Sequence, residues 1–399
     1  MRIALCTNYI SPYRLPVFRA LANQNGNELT IYTTASKGHD RNWNRCDQDG
    51  TIGVKQSWNC SILANQRVGV SSYSRAQFTE STKRDIPIGL LRDLLHDRPD
   101  VIISGELGMR TMIAKLAGLF LRVPVIPWTY PSPSKLKIGR IRSLYRKIML
   151  KRSIAIIGMG STARSALRDQ GANEHAIFDA PNAADLYSIR QQRVRNGFAN
   201  EVNQLRHRIG GDKKIAIVVG RLVEMKAPQR IIDSWLCIPM DIRNRWELVF
   251  IGDGPLAPKL HEKARDGIQF VGNVSPEEVS TYFAACDLHI FASLGDPWGL
   301  VVNEAMHHAK PTLCSIHAGC YEDLIIEGKT GFSFDPTRHV EQVAYQIARV
   351  LTSDGLDQVG NRARLHASIY TPVQMADGMQ RAIDHVIAHE SRRIGKETT

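Results

Sequence analysis

Two carboxylates eight positions apart, Asp296 and Glu304, bracket the segment Pro297-Trp298-Gly299-Leu300-Val301-Val302-Asn303. The first falls in a loop after a strand-like apolar run. The second falls about one turn inside the helix predicted to follow. A helix N-terminus leaves free backbone N–H groups and partial positive charge, which together form an anion site. A carboxylate on each side of that site suits hydroxyls on each side of a phosphate, the outline of a sugar–phosphate–ribose ligand. The same spacing is met by an acid favouring the helix dipole plus a surface glutamate. A second cluster, Gly220-Arg221-Leu222-Val223-Glu224-Met225-Lys226, directly follows the buried-strand pattern Ile215-Ala216-Ile217-Val218-Val219. An arginine and a lysine five apart at a strand's carboxyl end supply fixed positive charge for a diphosphate. As an isolated pair they also read as ordinary surface residues.

Positioning such groups requires a scaffold, and the apolar pattern supplies one. Residues 2–6, 29–32, 100–103, 124–128 and 154–157 read as short buried strands, and 16–21, 107–121 and 162–168 as helices. This alternation implies a parallel sheet covered on both faces. Residues 187–214 are polar and basic and read as a linker into a second unit. There the alternation resumes, with strands at 215–219, 247–251 and 287–291 and helices at 228–236 and 300–308. Ser275-Pro276-Glu277-Glu278 has the form of a capping box with proline at the first helical position. The expected fold class is α/β, two doubly wound Rossmann-like domains facing a central cleft. The expected bounds are 1–185 and 186–372, with a helix near 373–392 as a candidate to pack back on the first domain. In such sheets ligands bind off the carboxyl ends of the strands.

Composition narrows the class further. The chain has 399 residues, 43% hydrophobic and 23% charged, which fits a globular protein of two or three domains and excludes disorder throughout. The most apolar stretch, 111–128, is broken by Lys115, Arg122 and two prolines, so no membrane span is expected. The N-terminus shows no signal-peptide pattern, and a cytoplasmic location is expected. Seven widely spread cysteines form no CxxC pair. Most of them read as small buried hydrophobes in a reducing compartment. Thirteen histidines contain no HExxH, and the adjacent His307 and His308 point apart on a helix. No metal is predicted.

The 51 basic residues exceed the 39 acidic ones by 12, which suggests a polyanionic partner. Residues 134–152 hold eight cations (Lys135, Lys137, Arg140, Arg142, Arg146, Lys147, Lys151, Arg152) and no acid. Ile138, Ile141, Leu144, Tyr145 and Ile148 follow helical spacing within them. Both faces fit an interfacial helix on an anionic membrane leaflet; a solvated surface helix fits as well. Nucleic acid is not expected, because no aromatic platform or recognition module accompanies the charge.

The Gly-Arg-Leu…Lys stretch is followed in order by Gly252-Asp253-Gly254-Pro255, Phe270-Val271-Gly272, Ala285-Cys286-Asp287, residues 296–311, Gly319 and Glu327-Gly328-Lys329-Thr330-Gly331-Phe332. This ordered set, dense over residues 215–334, resembles the nucleotide-sugar domain of the family 4 retaining glycosyltransferases of GT-B fold. The resemblance implies a donor-binding second domain and an acceptor-side first domain. It implies that Arg221 and Lys226 hold the donor diphosphate and stabilise the leaving nucleotide. Glu304 would hold the ribose hydroxyls and Asp296 would face the donor sugar. Gly299, Leu300 and Val301 would offer backbone N–H groups, and Val271, Gly272 and Asn273 would frame the base. Asp296 stands where the family usually has glutamate. No cofactor is implied beyond the donor substrate, a UDP- or GDP-sugar, and the implied acceptor is a surface-glycan or lipid-linked precursor. In the first half, Asn8-Tyr9-Ile10-Ser11-Pro12-Tyr13-Arg14 replaces the family's glycine loop, and Glu106 and Tyr130 follow strands where they would meet a substrate. Two other readings stand beside this one. Gly158-Met159-Gly160-Ser161-Thr162-Ala163 with Asp179 satisfies a dinucleotide fingerprint, which would make an NAD-dependent oxidoreductase. A catalytically silent sugar-nucleotide binder is the other.

Overall fold

The computed structural model describes residues 1–34, 51–58, 60–69, 77–129, 140–265 and 267–397. Its first half runs β1 (Arg2–Thr7), α1 (Leu15–Ala22), β2 (Glu28–Thr33), β3 (Gly53–Gln56), β4 (Cys60–Gly69), β5 (Gln77–Ile86), α2 (Ile88–Asp97), β6 (Val101–Gly105), α3 (Met109–Leu121), β7 (Val125–Thr129), α4 (Arg140–Lys151), β8 (Ile156–Gly158), α5 (Ser161–Asp169) and β9 (Ile177–Asp179). Then come α6 (Leu186–Val194), α7 (Phe198–Gly210), β10 (Lys214–Val219), α8 (Pro228–Leu236), α9 (Met240–Arg243), β11 (Trp246–Ile251), α10 (Ala257–His261), β12 (Ile268–Gly272), α11 (Pro276–Ala285), β13 (Leu288–Phe291), α12 (Leu300–His307), β14 (Thr312–Ser315), α13 (Tyr321–Leu324), β15 (Phe332–Phe334), α14 (Val340–Leu351), α15 (Leu356–Ala367) and α16 (Pro372–Glu397).

Two parallel sheets organise these elements. The first has strand order β3-β2-β1-β6-β7-β8-β9 and the second β12-β11-β10-β13-β14-β15. Strands buried on both faces need apolar side chains on both, and β11 is buried along its whole length, Trp246 to Ile251. On one face of the first sheet, Val17, Phe18 and Leu21 of α1 meet Met375, Met379 and Ile383 of α16. On the other face lie Leu90 and Leu94 of α2 with Ala114 and Ala117 of α3. The second sheet is covered by α8 and α14 on one side and by α7 and α11 on the other. The last helix of the chain thus completes the first core. A buried hydrogen bond from Asn27 Nδ2 to Gln380 Oε1 (2.8 Å) fixes its register.

The structure departs from the sequence reading in two places. Residues 187–214 are two helices, α6 and α7, and not an irregular linker. Their apolar signal is sparse because α6 buries no side chain completely, and α7 buries only Phe198, Leu205, Ile209 and Gly210. Asp185 caps α6 by accepting from the Ser188 N–H. The antiparallel hairpin β4–β5 also went unread. The capping box at Ser275 forms with both of its hydrogen bonds. Among the described cysteines Cys6, Cys286, Cys314 and Cys320 are buried, whereas Cys237 is exposed.

Candidate active site

In both sheets the strand order reverses once, between β1 and β6 and between β10 and β13. A crevice opens off the carboxyl ends of the strands at such a reversal. Arg221 and Lys226 lie in the turn after β10, and Asp296, Gly299, Leu300, Val301 and Glu304 lie in the loop and helix after β13. Parallel pairing of β10 with β13 sets these two segments side by side, although they are some seventy positions apart.

The direct contact is a salt bridge. Lys226 Nζ donates to Asp296 Oδ2 at 2.5 Å, with both side chains mostly buried. Lys226 also sits 4.9 Å from the centroid of the Phe291 ring, where the ring face adds attraction. The other oxygen of Asp296 accepts from the Trp298 backbone N–H at 3.0 Å. The buried Trp298 indole donates to Asn303 Oδ1 at 2.7 Å, which ties the loop to the body of α12. Gly299 precedes α12 with φ of 101°, a left-handed conformation, and a Cβ there would lie 2.5 Å from the Phe291 ring. No side chain caps α12. The Val302 N–H donates to the Gly299 carbonyl at 2.9 Å, which leaves those of Leu300 and Val301 to a ligand anion.

Glu304 is partly buried one turn into α12. Loss of water pushes its carboxyl up to about 7, and among the described residues no neighbouring charge or hydrogen bond offsets this. An acceptor with no donor among the described residues is matched to ligand hydroxyls. Its pH dependence follows from the sign of the shift. The folded group binds its proton more tightly than the unfolded one, so its burial penalty is absent below pH 4.5 and grows until about pH 7. Hydroxyl donors favour the ionised form. Nucleotide binding therefore releases a proton, and affinity should rise about tenfold from pH 6 to pH 8. Calorimetry across that range, with Glu304→Gln as a pH-insensitive control, checks it; parallel profiles would remove Glu304 from the site.

Val271 and Gly272 end β12, and Asn273 follows them. The Gly252 N–H donates to the Gly272 carbonyl at 2.8 Å and holds this strand end beside the turn after β11. The Gly252-Asp253-Gly254-Pro255 turn is itself packed on the turn carrying Arg221. Leu222 N–H donates to Asp253 O, and a Cβ on Gly252 would lie 2.3 Å from Gly220 O. Those glycines serve contact between two turns.

On the first sheet, Glu106 follows β6 with φ of 68°. Asn8, after β1, donates from Nδ2 to Glu106 Oε1 at 3.4 Å and accepts from Thr34 Oγ1. Thr111 Oγ1 donates to the Glu106 carbonyl. The buried Arg110 donates to Gly105 O at 3.0 Å and to Thr34 at 3.5 Å. Strained backbone held by several bonds is typical of a functional position. Tyr130 lies outside the described residues. Thr34 and Arg110 escaped the sequence reading; the one available signal was a lone arginine near the start of an apolar helix.

The dinucleotide fingerprint is resolved by a contact that the sequence does not hint at. Asp323, just inside α13, accepts from Ser161 N–H (3.0 Å) and Ser161 Oγ (2.9 Å) at the start of α5. A Cβ on Gly160 would lie 2.6 Å from both Asp323 and Trp298. The anion site of that helix is thus filled by a carboxylate of the second sheet's loops. Asp179, the expected ribose partner, is paired with Arg164 at 2.7 Å. The nicotinamide reading finds no support. His289, His307 and His308 are buried and held neutral by desolvation. His308 bonds Ser280 at 2.9 Å. Among the described residues no three histidine, cysteine, aspartate or glutamate side chains group as metal ligands, and no helix is long and apolar enough to cross a membrane.

Residues 200–366 match the family described as "Glycosyl transferases group 1". The chain is 30% identical over 262 residues to the sulfoquinovosyl transferase SQD2 of Arabidopsis thaliana, covering 61% of this chain and 47% of that protein. It is 31% identical over 169 residues to a GDP-mannose-dependent alpha-mannosyltransferase of Corynebacterium glutamicum, covering 42% and 37%. The matched segment thus spans less than half the length of these curated relatives. In fold the chain is similar to Anabaena Alr3699/HepE solved with UDP and glucose, with TM-score 0.72, 16% identity, and coverage of 96% of this chain and 99% of that one.

Proposed function

We propose, from the match of residues 200–366 to the glycosyl transferases group 1 family, that this chain belongs to it and moves a sugar from a nucleoside diphosphate donor, UDP or GDP, to an acceptor hydroxyl with retention at the anomeric carbon. One observation carries the reading: Lys226, Asp296, the uncapped start of α12 and an unpartnered Glu304 converge where the second sheet reverses its strand order. Each part has a task. The α12 N–H groups and the two cations take up the diphosphate charge, which grows as the glycosidic bond to phosphate breaks. Glu304 orients the nucleoside through its ribose. Lys226 is shared between Asp296 and the phosphate, so donor binding loosens the ion pair and turns Asp296 toward the sugar hydroxyls. Aspartate is one methylene shorter than the usual glutamate, which moves that carboxylate back from the sugar. Val271, Gly272 and Asn273 border the base. Glu106, at the reversal of the first sheet, is the candidate to receive the acceptor hydroxyl. The acceptor class is a glycan or lipid-linked precursor, approached from an anionic membrane surface that residues 134–152 would contact at the cytoplasmic face.

A thermal-shift panel of UDP, GDP, ADP and NADH tests the donor. One nucleoside diphosphate at a hundred times its Kd should add about 2.7 kcal/mol of stability and NADH none. Radiolabelled transfer from the matching nucleotide sugar, in membrane extract with EDTA present, should then proceed. Stabilisation by NADH alone would overturn the reading. Tight nucleotide binding without transfer would leave a silent binder.

A further inference from the structure

The side chains that α3 turns to solvent are all apolar. Met109, Met112, Leu116, Leu119 and Phe120 are its exposed residues, with Leu119 at 75% and Phe120 at 65%. At 100° per residue they fall within an arc of about 100°, one continuous ridge some 16 Å long. Soluble surfaces scatter such residues singly; a contiguous strip marks a contact. The helices beside it are not apolar. α2 packs against α3 on one flank and exposes Arg92 and His96. On the other flank Lys115 of α3 donates to the Met149 carbonyl and to Ser153 at the end of α4. There Lys147 and Lys151 are exposed together with Leu144 and Ile148. No described exposed side chain on α2, α3 or α4 is acidic. The two acids of α2 are engaged inward, Asp93 by Ser57 and Asp97 by Lys55 and Tyr32.

We propose that this face docks on an anionic lipid bilayer, with the α3 ridge entering the acyl boundary and Arg92 of α2 and the lysines of α4 meeting lipid phosphates. The charge pattern selects this occupant. A second copy of the chain would oppose cations to cations along both flanks, whereas anionic lipid neutralises both flanks and leaves the ridge an apolar medium. The basic helix alone accounts for attraction, which salt screens; the ridge adds a part that salt does not remove. The ridge begins at Met109, three residues after Glu106. A lipid-tethered acceptor held in that bilayer would thus present its head group at the cleft. That last link rests on the role proposed for Glu106; the docking itself does not.

Co-sedimentation of the full chain with vesicles of phosphatidylglycerol and phosphatidylcholine, at low and high salt, provides the test. The chain should bind the anionic vesicles at low salt and retain a bound fraction at high salt. The double variant Leu119→Gln/Phe120→Gln should weaken partitioning at least about tenfold, since each side chain would no longer bury its apolar area, and should lose the salt-resistant fraction. Leu365→Gln/Ile369→Gln, at exposed apolar positions elsewhere, should bind as the parent does. A nucleotide thermal shift preserved in both variants shows that the fold is intact. Should no nucleotide bind the parent, the transferase reading fails while the vesicle result still decides this one. Leu119→Trp gives a second readout, an emission blue shift on adding anionic vesicles. Equal partitioning of parent and variant overturns the proposal. So does the absence of a blue shift, or a parental dimer that the double variant dissolves.

Discussion

Lys226→Ala should lower kcat/KM for sugar transfer by about 2–4 kcal/mol, and Arg221→Ala by a similar amount, the cost of one preorganised electrostatic donor. Lys226 carries the larger structural consequence. Its removal takes the Lys226 ammonium away from Asp296, which is mostly buried and beside the incoming diphosphate. A carboxylate that has lost that ammonium opposes the charge that must accumulate in the transition state. The loss should therefore appear in kcat as well as KM, and Asp296→Asn placed on Lys226→Ala should recover part of the nucleotide affinity. Steady-state kinetics and calorimetry on the three variants measure this. Near-normal turnover in both single cation variants, with the fold intact, would sink the diphosphate assignment.

Gly319→Ala should cost about 3 kcal/mol of stability, in the upper range for overpacking, and should abolish nucleotide binding. A Cβ at Gly319 would lie 2.0 Å from the Pro297 carbonyl oxygen and 3.1 Å from the Trp298 nitrogen, both backbone atoms with no rotamer to yield. The same glycine donates its N–H to the Asp296 carbonyl at 2.9 Å, and Cys320 donates to the Trp298 carbonyl at 3.0 Å. The segment after β14 thus clamps the loop that carries Asp296. Forcing them apart displaces Asp296 from Lys226 and shifts the start of α12. Gly108→Ala is the matched control, since a Cβ there meets nothing within 4 Å. Urea unfolding read beside nucleotide calorimetry separates the two effects. An alanine variant as stable as the parent would show that the loop pairing is soft.

The sequence by itself determined element type and strand ends. Buried strands such as 215–219 and 247–251 announce themselves because both faces need apolar side chains. The start of α11 announces itself because a capping box is a local device. The clustering of Arg221, Lys226, Asp296 and Glu304 at strand ends was likewise legible in the order of short motifs, each of which keeps its chemistry within a few residues. Local pattern failed where burial is sparse: α6 and α7 show too few apolar residues to declare their period. The tertiary structure alone decided what meets across distance. Strand order is set by packing, and no periodicity records that β10 lies beside β13 or that α16 closes the first core. Gly158 and Gly160 satisfy a nucleotide fingerprint in every local respect. Only the fold delivers the Asp323 carboxylate to the N–H and hydroxyl of Ser161, 162 positions earlier, where a phosphate would sit. The exposed ridge of α3 belongs here too. The sequence marks this segment as a helix and as its most apolar stretch, but composition does not tell which face of a helix has a neighbour.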